Sequence, residues 1–216
     1  MIYSILRVYG LIIGYPLQLL FFKRKTYYED ESCKRSFKKG GKLIISNHFN
    51  LFDYVLTCFI VFPRKLTAVA SEDPFKSKIT RFGMKFFGAI EANRVTKSMR
   101  FMDSSAEVIK NGQLVIIYPE GRNTPDGNMH PFKHSYLVIA YRAGAPIIPM
   151  VTDGQYGVFK QAHVLIGKEI DVSEFFEPGK RTPSREELKA ANDHVYAKMQ
   201  ELRVELERRK SERKSR

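Results

Sequence analysis

Lys42-Leu43-Ile44-Ile45-Ser46-Asn47-His48-Phe49-Asn50-Leu51-Phe52-Asp53 is the stretch whose reading decides the fold. An apolar run entered by Gly40-Gly41 stops at a polar turn, and a helix signal follows at once. Leu43-Ile44-Ile45 does not alternate apolar with polar, so it reads as a strand buried on both faces. Asn50 suits a helix N-cap, which puts Asp53 at the third helical position. A strand feeding a helix through a short turn is half of a βαβ unit. In parallel sheets, sites are built in the loop beyond the strand's carboxyl end.

The same alternation continues downstream. Residues 66–70 read as a strand, 75–87 have helical spacing, 89–90 form a short strand, and 98–110 a helix stopped by Asn111-Gly112. Residues 114–118 are the clearest strand, 133–142 a helix closed by Gly144, and 147–151 and 164–166 further strands. Pro183 and Ser184 open a last helix, with Leu188, Ala191, Val195, Leu202 and Leu206 on one face. The expectation is an α/β fold with a largely parallel central sheet flanked by helices and an N-terminal apolar membrane-attachment helical segment. Residues 1–25 form that segment, 26–182 the α/β domain, and 183–216 an amphipathic helix with a basic tail. Beyond Leu206 the charged tail reads as solvated and frayed, with adhesion to acidic lipid as its functional alternative.

Residues 2–22 are apolar apart from Ser4, Arg7 and Gln18, and about 30 Å of helix would span a bilayer core. Arg7, Gly10, Gly14 and Pro16 argue against a simple span and for two short interfacial helices or a re-entrant hairpin. Lys23-Arg24-Lys25 then belongs on the cytoplasmic side, so the chain is expected to be membrane-associated with its active site facing the cytoplasm. The net charge of +13 suits anionic lipid or nucleic acid; 16 Phe and 11 Tyr in apolar clusters, with no Trp, favour the membrane surface. Within 75–87, Phe75, Ile79, Phe82 and Phe86 make one stripe edged by Lys78, Arg81 and Lys85, facing either lipid or the core. Cys33 and Cys58 have neither a disulfide framework nor metal-ligand spacing around them.

On one continuous helix His48 and Asp53 would point about 140° apart. With the chain bent before Asn50, the Asp53 carboxylate can reach back, fix one imidazole tautomer and leave the other nitrogen to take a proton. Such a pair has no nucleophile of its own, so a substrate hydroxyl attacking an acyl carbonyl is its natural use. Tyr118-Pro119-Glu120-Gly121-Arg122, off the end of a strand, makes a tight turn displaying one acid and one cation suited to phosphate. Gly88 to Arg94 ends in a second candidate phosphate clamp, Arg94.

In order and spacing these pieces resemble the lysophosphatidate acyltransferase family, within the glycerolipid acyltransferases, over roughly residues 42–175. Asn47, His48 and Asp53 match its Asn-His-four residues-Asp motif. Gly88, Ile90 and Arg94 match the second motif; Pro119, Glu120 and Gly121 part of the Pro-Glu-Gly-Thr-Arg third; Pro146-Ile147-Ile148-Pro149 the apolar fourth. The resemblance implies that His48 is the general base and Asp53 its orienter. It implies that Arg94, Glu120, Gly121 and Arg122 bind the glycerol phosphate, and that Pro146 and Pro149 belong to the acyl-donor region. Here Arg122 follows Gly121 directly, without the intervening Thr, so its cation leaves the turn in another direction; Asn93 stands where many relatives carry Asp. The implied reaction moves an acyl group from acyl-CoA or acyl-carrier protein to a lysophospholipid, with lysophosphatidate as the leading acceptor, giving phosphatidate with no metal or cofactor. The implied partners are that acceptor, the thioester donor and a membrane surface, and no nucleic acid. Alternatives are the same transfer to glycerol phosphate, another lysophospholipid or a lipid-linked hydroxyl, and a non-enzymatic basic module binding membrane or nucleic acid.

Overall fold

In the computed structural model, residues 2–71, 78–86, 88–92, 100–124, 127–180 and 182–214 are described. The strands are β1 (Lys25–Tyr28), β2 (Lys42–Ser46), β3 (Leu66–Ser71), β4 (Ile90–Ala92), β5 (Leu114–Ile117), β6 (Ile147–Thr152) and β7 (His163–Ile166). The helices are α1 (Ile2–Phe22), α2 (Leu51–Val61), α3 (Lys78–Phe86), α4 (Arg100–Lys110), α5 (Ser135–Ala143) and α6 (Arg185–Lys214).

The seven strands form one sheet in the order β1-β7-β6-β2-β5-β3-β4. Every pairing is parallel except β6 with β7. As the unbroken apolar runs require, Leu43, Ile44 and Ile45 of β2 and Leu114, Val115 and Ile116 of β5 are wholly buried. Successive residues face opposite sides. Leu43, Ile45 and Val115 join the cluster under α4, α5 and α6, whereas Ile44, Leu114 and Ile116 join the one under α2 and the end of α1. β2 and β5 are parallel neighbours in register from Lys42↔Leu114 to Ile45↔Ile117, so their carboxyl ends share one edge, where β6 also ends.

The α/β expectation holds, with three differences at the ends. β1, a sheet edge built from Lys-Thr-Tyr-Tyr, was not anticipated from the sequence, although its Tyr-Tyr pair and threonine carry strand preference. α1 is one helix of 21 residues rather than two short ones or a hairpin. Pro16 forfeits one intrahelical hydrogen bond without ending the helix. Contacts hold it on both sides of the proline, Gly10 against Phe86 and Phe22 in the core. α6 does not fray after Leu206 but runs to Lys214, because Arg209 donates to the Tyr28 carbonyl (2.8 Å), Lys210 meets Asp153 and Arg213 meets Gln161.

α1 is inverted relative to an ordinary surface helix. Arg7 is buried with Nη1 donating to the Leu66 carbonyl (3.1 Å), and Gln18 is buried too, while Tyr9, Ile12, Ile13, Leu17 and Leu20 are each more than half exposed. Among the described residues no helix is long and apolar enough to cross a membrane. Of the aromatic stripe, Phe82 points outward at 57% exposure and Phe86 packs toward α1; Phe75 lies outside the described residues.

Candidate active site

The turn after β2 places His48 because its neighbours are tied down. Asn47, buried, donates Nδ2 to the Thr152 carbonyl and accepts from the Thr152 N–H at its Oδ1, both at 2.9 Å. This two-way clasp fastens the end of β2 to the end of β6. Asn50 caps α2 by accepting from Phe52 N (2.8 Å), and Asp53 completes a capping box. Thr124, in the loop after β5, donates both N–H (2.7 Å) and Oγ1 (3.0 Å) to the His48 carbonyl.

Asp53 does more than cap. Its Oδ2 lies 2.9 Å from His48 Nδ1 and accepts from the N–H of Phe49 (2.7 Å) and Asn50 (2.8 Å). Its Oδ1 accepts a short hydrogen bond from the Tyr156 hydroxyl. Apart from the imidazole, these partners are two backbone N–H groups and a phenol, so among the described residues no lysine or arginine stands on the carboxylate. With Nδ1 committed to Asp53, Nε2 is the nitrogen left for a substrate, and the His48 side chain is 19% exposed. One face of the ring stacks on Tyr118 (centroids 3.9 Å apart, planes 14° apart), which fixes the plane of the imidazole. Burial and the nearby Asp53 charge hold the Tyr118 and Tyr156 phenols above their usual range, so both stay neutral.

Glu120 reaches the same edge from β5. It is buried, its Oε2 accepts from His130 N (2.8 Å), and its Oε1 has no hydrogen bond among the described residues. Desolvation pushes its pKa up, offset in part by the backbone of His130 and His48. Gly121 takes a left-handed conformation (φ 68°) that makes the tight turn possible. Arg122 is exposed and does not pair with Glu120; its Nη2 donates to His130 Nδ1 (2.6 Å). Packing around the site is close: a Cβ on Gly154 (φ 67°) would lie 2.5 Å from the Phe49 ring.

The structure thus brings His48, Asp53, Glu120, Gly121 and Arg122 to the carboxyl edge of β2 and β5. It does not bring Pro146 there: that residue precedes β6 at the opposite edge, and its carbonyl accepts from Leu43 N (3.3 Å). Pro149 lies within β6 opposite Ile45, and its carbonyl accepts from Gly167 N. Arg94 lies outside the described residues. Tyr156 was missed from sequence; it sits 103 residues from Asp53 in a loop with no local signature.

Comparison with known proteins places the chain in a family. The chain is 24% identical to a 1-acyl-sn-glycerol-3-phosphate acyltransferase of Cocos nucifera, over 83% of this chain and 58% of that protein. It is 22% identical to one from Bacillus subtilis, over 78% and 84%, and 29% identical to the human beta form, over 65% and 51%. The chain therefore spans a little over half of the coconut relative and about half of the human one. The crystal structure of the 1-acyl-sn-glycerophosphate acyltransferase PlsC from Thermotoga maritima shares the fold, with a TM-score of 0.58 at 20% identity, covering 88% of this chain and 73% of that one. A family model described as Acyltransferase matches residues 24–153, more than half of the chain and the whole of the edge where His48, Asp53 and Glu120 meet, so the protein belongs to the acyltransferase family.

Proposed function

We propose that this protein transfers a fatty acyl group from acyl-CoA or acyl-carrier protein to the free hydroxyl of lysophosphatidate, giving phosphatidate. The observation that carries the mechanism is the His48 ring held at 2.9 Å by a carboxylate whose other partners are all neutral. The acceptor comes from the names of the relatives.

In this reading Nε2 of His48 takes the hydroxyl proton as the oxygen attacks the thioester carbonyl. A tetrahedral intermediate forms with its charge on oxygen. Its collapse breaks the C–S bond, and the imidazolium returns the proton to the departing thiolate. Asp53 stabilises the imidazolium in between. No acyl-enzyme forms. Arg122 and Arg94 supply positive charge for the acceptor phosphate. Pro149, within β6, stiffens the strand that leads to the donor site, with Pro146 at that strand's far end.

The chain works at a bilayer. The end of α1 meets the start of α2, where Phe21 packs on Phe52 (centroids 5.0 Å), and Leu51 (60% exposed) and Phe52 (44%) extend the apolar surface toward the His48 turn. Each large aliphatic side chain moved from water to hydrocarbon gains about 1.5–3 kcal/mol. Lys23 and Lys25, after α1, sit at headgroup level on the cytoplasmic side.

One observation favours a second acceptor. Arg122 is engaged with His130, and the third motif lacks its threonine. The same transfer to another lysophospholipid fits that geometry.

Purified protein incubated with acyl-CoA and a panel of lysophosphatidate, lysophosphatidylcholine and glycerol phosphate, with products identified by mass, separates the two. His48→Ala is expected to lower turnover by about 10³-fold without changing thermal melting. Near-normal turnover in that variant defeats the mechanism.

A further inference from the structure

A second cleft, of about 530 Å³, opens where the β6–β7 loop meets the last turns of α6. Its walls carry Lys160 and Gln161 from the loop, Lys210 and Arg213 from the helix, and Asp153 with His163. The cleft holds three cations against one carboxylate, and that carboxylate is already satisfied. Asp153 is almost wholly buried. It accepts from His163 N (3.0 Å) and Gln155 N (3.2 Å), lies 2.9 Å from His163 Nδ1, and is paired with Lys210 Nζ at 3.1 Å. Lys160 and Arg213 face no carboxylate among the described residues; Arg213 only donates to the Gln161 side-chain oxygen (2.7 Å).

Cations in the last turn of a helix are favoured by the helix dipole whatever else they do. The case therefore rests on Lys160, which belongs to a loop, and on what stands beside it. Phe159 is 99% exposed and Val158 52% exposed. This apolar tip is fastened to the end of α1, where Gly157 N donates to the Phe21 carbonyl (3.1 Å) and Ala162 N to the Phe22 carbonyl (2.8 Å). An aromatic tip beside unpaired cations is the arrangement of a segment that enters a bilayer's headgroup layer.

We propose that this cleft binds the phosphate of an anionic phospholipid headgroup, on the same sheet edge as His48 but lined by neither His48 nor Asp53. Phe159 and Val158 enter the acyl boundary, and Lys160 and Arg213 take the phosphate, Arg213 as a fork and Lys160 as a point charge. The site shares with the proposed function only the premise that the chain works at a membrane.

Co-sedimentation with two vesicle types separates the two ideas. Neutral phosphatidylcholine vesicles report the apolar face of α1. The gain on adding phosphatidylglycerol reports the cleft. The double variant Lys160→Ala/Arg213→Ala is expected to lose about 30-fold of that gain, at about fivefold per cation near the surface, with neutral-vesicle binding unchanged and melting lowered by no more than about 4 °C for the lost Arg213–Gln161 hydrogen bond. The control Lys38→Ala/Lys39→Ala removes equal charge from exposed positions ahead of β2, at the other edge of the sheet, and is expected to lose less than about threefold. Equal loss in both double variants reduces the effect to net charge and overturns the site. No loss in the cleft variant does the same. A third arm uses inorganic phosphate at matched ionic strength. If phosphate raises the melting temperature in a way the cleft variant abolishes, while vesicle binding is the same in both, the ligand is a soluble phosphate and the lipid assignment falls.

Discussion

Among the described residues two histidine–aspartate pairs make the same contact, Nδ1 to Oδ2 at 2.9 Å: His48–Asp53 and His163–Asp153. In both the carboxylate is nearly inaccessible and the ring partly open. The surroundings separate them. Asp53 is held by two backbone N–H groups and a neutral phenol. Asp153 is neutralised by Lys210, and its imidazole lies over Tyr27 at the start of an antiparallel strand. Asp53 stands at the carboxyl edge of a central parallel strand, beside Glu120 and the Thr124 loop. The two pairs share a distance and a residue type and differ in whether a cation stands on the carboxylate, and the proposed mechanism assigns proton transfer to the one without it.

Parallel substitutions sharpen the contrast. Asp53→Asn is expected to lower acyl transfer by about 10³-fold, because an amide favours the wrong imidazole tautomer and cannot offset the imidazolium. It also loses part of the capping box, roughly 1 kcal/mol of stability. Asp153→Asn is expected to cost about 1–3 kcal/mol in denaturant melts and less than about fivefold in turnover. Equal losses of turnover from the two would erase the distinction.

Tyr156→Phe tests the neutral side of the Asp53 shell. Removing one hydrogen bond to a carboxylate is expected to lower kcat about tenfold with the acceptor KM unchanged. A change confined to KM would instead place Tyr156 in substrate binding.

The smallest effect concerns Glu120. Burial raises its pKa in the folded state above the unfolded value, so its favourable contribution to folding is complete at low pH and is lost as pH rises through the raised value. Glu120→Gln keeps an acceptor for His130 N and carries no charge. Its melting temperature is expected to match the wild type in acid and exceed it by about 2–4 °C at neutral pH. A variant that melts lower at neutral pH would mean that the charge is compensated by a partner in the folded protein.

Much of this was legible in the residues themselves. The unbroken apolar runs of β2 and β5 dictate strands buried on both faces. The Asn50 cap dictates where α2 begins, and with it the bend that lets Asp53 reach His48. These are local: backbone sterics, capping and periodicity act over a few residues, and no distant partner is needed to state them. What surrounds the dyad was not legible. Tyr156 on Asp53, Thr124 on the His48 carbonyl and the Asn47–Thr152 clasp join positions 76 to 105 residues apart. The continuation of α6 to Lys214 was not legible either: a charged run that alone would fray is held by Tyr28, Asp153 and Gln161, which are distant in the chain. Only the ordering of strands, which sets β6 beside β2 and β7 beside β1, makes those groups neighbours. Sequence alone therefore determined that His48 and Asp53 could meet across one turn, and the tertiary fold decided which carboxylate has a cation beside it, because that depends on groups brought from elsewhere in the chain.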